Sequence, residues 1–385
     1  MDKTTADKIH SFLRDRTDEM VQSLVELAMI ESPSSEASTQ NAALNWISQR
    51  LEKLGFDCQR IAGIESGGQL VAKIPQQADE PQQLLLGHCD TVWPVGTLKK
   101  MPVEIREGRL HGPGVYDMKG GLVQAIYALT ALHQLGLTPD VAPIFFINSD
   151  EEIGSGESVD AIRKLAAMVN RAFVMEPSLE PGSRLKTSRK GVGRFYLTVQ
   201  GKASHAGLAP EKGVSAILEI SNVIQILFAL NDPERGISVN VGKVQGGTQP
   251  NVIAAECRIE VDVRVKTKQD AEWIESQILS IKPTLKDAKL EIKGRIGRPP
   301  MESTPGNRDL WQRAVEAADV LDISIEEGAA GGGSDGNWTS LSTPTLDGLG
   351  AVGDGAHALN EHLVIDKMVE RSALLACLLM SPPLT

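Results

Sequence analysis

Five acidic residues and two histidines of this chain stand where strands should end. His88 and Asp90 lie in LLLGHCDTV, Asp117 in GPGVYDMKGG, Glu151 and Glu152 in IFFINSDEE, Glu176 in AFVMEP and His357 in GAHALNEH. Oxygen and imidazole ligands gathered from separate strand ends are what a chain needs to hold two divalent cations over one water. Singly, each is ordinary, since a histidine after a strand is usually packed or at the surface and a Glu-Glu pair is usually a solvated loop. Together they are not: carboxylates about 4 Å apart repel by roughly 4 kcal/mol at an effective dielectric of about 20. Five on one rim would take up protons or separate unless cations held them.

The elements that must position these side chains can be read from periodicity. Residues 83–86, 143–148 and 171–175 are short, mostly apolar stretches that read as buried strands, while 20–30, 44–54, 120–135 and 161–169 carry apolar residues at helical spacing. Helices between buried strands predict an α/β fold with a mostly parallel sheet flanked by helices. Ligands of such sheets bind beyond the carboxyl ends of the strands, and each candidate here follows its strand. From about residue 190 the pattern changes to alternating strands at 195–200, 237–244, 254–265 and 289–295, with helices at 214–230 and 271–281. Strand-helix-strand-strand-helix-strand is the split βαβ, ferredoxin-like order of a small α+β domain. It reads as an insertion, because the earlier pattern resumes near Asn307 and His357 lies beyond it. The expected division is 1–189 and 298–385 for the metal-binding domain and 190–297 for the insert. The C-terminal stretch 366–380 reads as a helix with Asp366 as its cap.

Composition excludes several classes. At 385 residues and 41% hydrophobic content the chain can bury a core and a second unit. No apolar run approaches the roughly 20 residues of a bilayer span, and the charged start lacks an apolar signal segment, so a cytoplasmic enzyme is expected. A net charge of −11 disfavours nucleic acid or an anionic membrane as partner. Cys58, Cys89, Cys257 and Cys377 form no CxxC pair, so any metal must be bound by oxygen and nitrogen. Cys89 should face away from His88 and Asp90 on an extended segment. Neither GxGxxG nor a P-loop GK[ST] appears, which disfavours dinucleotide binding.

HCDTV, GPGVYDMKGG, NSDEEIGS, VMEPS, GKASHAG and GAHALNEH together resemble the motif set of the M20 family of metallopeptidases, most closely its glutamate carboxypeptidase-like branch. The resemblance runs across nearly the whole chain with the motifs in family order. It implies a zinc-exopeptidase-like fold whose insert is a lid and dimerisation domain. It implies two divalent ions, zinc or else cobalt or manganese: His88 and Glu176 on one, Glu152 and His357 on the other, Asp117 bridging. Asp90 would orient His88, and Glu151 would be the general base. His205 would stabilise the oxyanion, reaching the site from the partner subunit of a homodimer. Asn251, Arg264 and Arg298 resemble positions that hold the substrate carboxylate, a task suited to the planar guanidinium fork, and Gly333 resembles a backbone contact. Arg184 falls near where the branch places a lysine for an acidic side chain. The implied activity is release of a C-terminal, acidic or other, amino acid from a dipeptide, short peptide or N-acyl amino acid, with deacylation as the alternative.

Several residues keep a second reading. Arg264 and Arg298 could serve salt bridges within the insert, and the basic run Arg184, Lys186, Arg189 and Lys190 could be a solvated strand between domains. His10, His111, His133 and His362 match no ligand position. Gly332-Gly333-Ser334-Asp335-Gly336 fits GxSxG, and Asp347 or Asp354 followed by His357 gives the residue order of a serine hydrolase, although no strand directly precedes Ser334. A binding protein on the same scaffold is the non-enzymatic rival. Its signature would be loss of a ligand or of the base, and all of these residues are present.

Overall fold

The computed structural model describes residues 1–77 and 80–384. It divides into one compact unit of Met1–Ser188, Ser303–Ala330 and Ser334–Thr385 and a second of Arg189–Glu302 with Gly331–Gly333. In the first unit a six-stranded sheet runs in the order Asp57–Ile61, Gln69–Lys73, Ala142–Asn148, Gln82–His88, Arg171–Val174, Thr345–Leu346. Three of its five pairings are parallel, and the first two strands form an antiparallel hairpin on one edge. The expected mostly parallel sheet is present.

Strand pleating sorts the apolar runs onto two faces. Leu85, Phe145, Ile147 and Phe173 face one way, into a core shared with the helices Lys3–Arg14, Thr17–Ala28, Ala37–Glu52, Gly120–Gln134, Pro305–Val320 and Ile365–Leu379. Leu84, Leu86, Ile144, Phe146, Ala172 and Val174 face the other way, against Ile162 and Leu165 of the helix Val159–Ala166. Burial on both faces is why these strands lack polar alternation. Truncating Phe145 to Ala would cost about 3–5 kcal/mol.

Close approaches fix the strand ends. A Cβ at Gly121, in the first turn of Gly120–Gln134, would lie 2.0 Å from the Met175 carbonyl oxygen, and one at Gly350 would lie 2.1 Å from the same atom. Only hydrogen fits at either position. The Met175 N–H donates to Leu86 O at 2.9 Å and the Gly350 N–H to Glu176 O at 2.9 Å, so the backbone that delivers Glu176 is held from both sides.

A small sheet in the same unit pairs Gly353–Asp354, His362–Val364, Arg109–His111 and Glu104–Arg106, and its first turn carries His357. The C-terminal helix corrects one expectation. Asp366 does not cap it: Val364 is the N-cap and makes no side-chain cap bond. Asp366 sits in the first turn, where its charge still favours the positive end of the helix dipole.

The second unit has the expected ferredoxin-like order. Strands Ser238–Gly246, Glu256–Val265, Gly191–Gln200 and Lys289–Arg298 lie side by side in that spatial order, all antiparallel. Phe195, Leu197, Val199, Ile259, Val261 and Val263 point to the face covered by the helices Ala216–Phe228 and Lys268–Leu279, which contribute Ile220, Val223, Leu227, Ile274 and Ile278. The other face presents Arg194, Tyr196, Glu260 and Asp262. Among the described residues, no helix is long and apolar enough to cross a membrane.

Candidate metal centre

Strand Gln82–His88 ends in a buried imidazole, and its Nδ1 is fixed locally. Asp90 presents both its backbone oxygen, at 3.0 Å, and Oδ1, at 3.3 Å, to that nitrogen. Nδ1 therefore keeps its proton, and Nε2 is the nitrogen turned to Asp117 and Glu176 and open to a cation once its own proton is displaced. Asp90 is itself buried and held. Its carboxylate accepts from the backbone N–H of Glu151 at 3.3 Å and of Glu152 at 3.2 Å, and from the Ser34 hydroxyl at 2.7 Å.

Asp117 faces two imidazoles at once. Its Oδ1 is 3.4 Å from His88 Nε2 and its Oδ2 is 3.6 Å from His357 Nε2. Glu176 Oε1 lies 3.7 Å from His88 Nε2, and Glu152 Oε2 lies 3.2 Å from His357 Nε2. Candidate ligand atoms of His88, Asp117 and Glu152 all lie within 4.8 Å of one another, as do those of His88, Glu151 and Glu176. The seven residues singled out at the strand ends thus meet in one place. His357 has φ +61°, an uncommon conformation for a residue with a side chain and one that clusters at functional sites.

A cation would fit this donor set. Among the described residues, His88 Nε2, Asp117 Oδ1 and Glu152 Oε1 are buried without a hydrogen-bond partner, which is costly for polar atoms unless something else binds them. The protonation pattern agrees. Burial pushes the Glu152 carboxyl up to about 7, with the charge of Asp117 adding to it, and the hydrogen bond to Glu152 raises His357 to about 9. Burial opposes charge on His88, yet the carboxylates of Asp117 and Asp90 outweigh it and hold this imidazole well above its ordinary value. Burial likewise opposes ionisation of Asp117, and the facing imidazoles keep its carboxyl low. The cluster holds protons because it carries more negative charge than the chain alone balances.

The substrate-side residues lie elsewhere in the chain. His205 and Asn251 are exposed neighbours in the second unit: His205 pairs with Val252, and the Ala206 N–H donates to Asn251 O at 3.0 Å. His205 Nδ1 accepts the N–H groups of Gly207 and Leu208, each at 3.1 Å, so its proton is on Nε2. Gly333 lies against Arg298, where a Cβ would stand 2.8 Å from the Arg298 Cδ. Arg264 forks onto Asp262 with bonds of 2.8 and 3.0 Å, the pairing within the insert that was its second reading. Burial lowers the pKa of Lys190, as do the nearby Lys266 and Arg264, which marks a concentration of positive charge. In the first unit Arg184 Nη2 reaches Glu180 O at 3.4 Å. The basic run is not a solvated strand: Lys186 and Arg189 are buried, and Lys186 Nζ is 4.0 Å from Glu176.

Sequence reasoning missed Ser34 and Glu361. Ser34 follows a helix without any marker. Glu361 follows no strand, although it lies four residues after His357. Ser334 is fully buried and its hydroxyl donates to Asp347 Oδ2 at 2.6 Å rather than to an imidazole, an arrangement that suits a structural serine. Cys89 is buried, and burial pushes its thiol up to about 12.

Known proteins bear on this arrangement. Over 378 residues the chain is 30% identical to carboxypeptidase G2 of Pseudomonas sp. (strain RS-16), covering 95% of this chain and 90% of that protein. It is 27% identical to the succinyl-diaminopimelate desuccinylase of Dechloromonas aromatica, covering 85% and 89%. Among solved structures, the M20 family metallo-carboxypeptidase Sso-CP2 of Sulfolobus solfataricus shares the fold with a TM-score of 0.76 at 17% identity, covering 94% of this chain and 98% of that one. The YXEP protein of Bacillus subtilis, described as a dinuclear metal binding peptidase of the M20 family, shares it with a TM-score of 0.68 at 16% identity, covering 95% and 98%. Residues 84–381 match the model of peptidase family M20/M25/M40, and with strand-end carboxylates and imidazoles gathered as described, the chain belongs to that family as a homologue of its metallocarboxypeptidases and amidohydrolases.

Proposed function

We propose that the protein hydrolyses an amide bond at a pair of divalent cations, zinc in the first instance, and releases the C-terminal amino acid of a dipeptide, short peptide or N-acyl amino acid. The observation that carries this is Asp117, whose two oxygens face His88 and His357 separately. His88 and Glu176 would hold one ion, Glu152 and His357 the other, and Asp117 both. When bound, such a pair supplies Lewis acidity and lowers the pKa of water at the site to about 7.

The chain's own groups do the rest. Glu151 takes a proton from the attacking water as the carbonyl carbon becomes tetrahedral, then gives it to the departing nitrogen as the C–N bond breaks. Asp90 keeps the proton on His88 Nδ1 throughout. His205, with its proton on Nε2, donates to the oxygen that gains charge. Arg264, Arg298 and Asn251 bind the substrate carboxylate, with Gly333 lending backbone, and the positive charge around Lys190 supports an acidic residue there. Arg184 serves its side chain.

The insert acts as a lid and as the contact of a homodimer. Its helix Ala216–Phe228 leaves Ile217, Leu218 and Phe228 exposed, and Ser238–Gly246 is an edge strand, which supports association with a second copy. Light scattering should return twice the chain mass.

The desuccinylase relatives favour a second reading, deacylation of an N-acyl amino acid by the same chemistry. Amino acid release from matched dipeptides and N-succinyl and N-acyl amino acids, by zinc-reconstituted protein, decides between them. Hydrolysis of none of them, with zinc bound, would sink both.

A further inference from the structure

Glu361 is buried, and its carboxylate has no lone pair to spare. Oε1 accepts the backbone N–H of Tyr116 at 3.0 Å and of Asp117 at 3.1 Å. Oε2 accepts the N–H of Gly114 at 3.0 Å and the Trp93 indole N–H at 2.7 Å. The Glu361 carbonyl also faces the Gly112 N–H, at 3.4 Å. A carboxylate offers about four lone-pair directions, and here all are used.

The donors are not arbitrary. In the turn before Gly120–Gln134 the N–H groups of Gly114, Tyr116 and Asp117 go to Glu361 rather than to a helical carbonyl, and Asp117 and Met118 have non-helical φ/ψ. Asp117 is the residue that faces both imidazoles. Glu361 closes the turn that carries one of them, His357, its N–H donating to Ala358 O at 2.9 Å. One side chain therefore ties the peptide of the central carboxylate to the loop of the second histidine, and through Trp93 to the segment that follows His88 and Asp90.

We infer that Glu361 is a positioning residue of the metal centre: by saturating its four acceptor directions with Gly114, Tyr116, Asp117 and Trp93 it holds Asp117 and His357 at the spacing that retains the second ion. This rests on the proposed two-cation site. Glutamine cannot replace it, because its NH₂ would turn donors onto two N–H groups. The molecule supplies its own control in Glu157, whose carboxylate accepts the N–H groups of Ile64, Glu65 and Ser66 and the Ser66 hydroxyl, a similar clamp on a different loop.

The test is zinc retention by the full chain, measured by competition with a chromogenic zinc chelator, beside thermal melting of the metal-free protein. Glu361→Gln should weaken retention of one of the two ions by about 10- to 100-fold. Glu157→Gln should lower the melting temperature while retaining zinc like the unaltered chain. Equal retention by Glu361→Gln and Glu157→Gln overturns the inference. Should Glu361→Gln fail to fold, Trp93→Phe, which removes one donor, should weaken retention about fivefold, and unchanged retention there overturns it equally. An unaltered chain that takes up no zinc would remove the two-cation reading and this inference together, whereas two tightly held ions in both the unaltered chain and Glu361→Gln would remove the inference alone.

Discussion

The two units hold their candidate functional residues in opposite ways. In the first, His88, Asp90 and Glu176 are buried, with His88 and Asp90 fixed by polar groups of the same cluster and Glu176 facing His88 and Lys186. In the second, His205 and Asn251 are exposed, and backbone bonds join the segments that carry them. Buried charges need compensation, so a change at His88, Asp90 or Glu176 alters ion retention and folding together. Exposed residues lack that coupling, so a change in the second should reach turnover or substrate affinity while leaving the fold alone.

The largest effect that could break this contrast is ion removal. Dialysis against a chelator should abolish hydrolysis and lower the melting temperature, and zinc at 100 times its dissociation constant should restore about 2.7 kcal/mol of stability; calorimetry of both forms checks this. Glu151→Gln comes next, with kcat falling about 100- to 10,000-fold while zinc content measured by atomic absorption stays unchanged. His205→Ala should lower kcat about 100- to 1,000-fold with neither zinc content nor melting temperature moved. A fall in melting temperature there would place His205 with the buried set.

pH sharpens the comparison further. Glu152, raised to about 7, and His357, raised to about 9, bind protons more tightly in the folded metal-free chain than in the unfolded one. Stability from His357 is thus fully present below its ordinary value and lost as pH rises through about 9, and ionising Glu152 acts in the same direction between its ordinary value and about 7. The metal-free melting temperature should fall across that window. Because cations displace these protons, the increment from zinc should grow over the same range. The smallest effect is Arg264→Ala. Its partner Asp262 is partly exposed, so stability should change by less than about 1 kcal/mol, while KM for a glutamate-ended substrate rises about tenfold, one hydrogen-bonded charge pair being worth that much.

What the sequence revealed follows the same division. Mostly apolar runs at 83–86 and 143–148 marked buried strands, and the polar residues that follow marked the rim, so His88, Glu151 and Glu152 were legible. The alternation of Gly191–Gln200 and Glu256–Val265 made the second unit legible too. Glu361 was not, because three of its four donors are backbone N–H groups, which leave no trace in side-chain pattern. The basic run of Lys186 is open to a solvated strand or to substrate binding, since a lysine among other basic residues carries no sign that a buried Glu176 lies 4.0 Å away. Asp366 looked like a cap because an acidic residue opens many helices, but the helix begins one residue earlier.

The paired glycines 121 and 350 around the Met175 carbonyl carry a practical message for anyone seeking altered selectivity. Mutagenic libraries that include either position will mostly discard their members, since even a methyl group has nowhere to go. Diversity placed instead around residues 205 and 251 leaves the reactive core undisturbed, so variants recovered there should differ in what they accept rather than in whether they work.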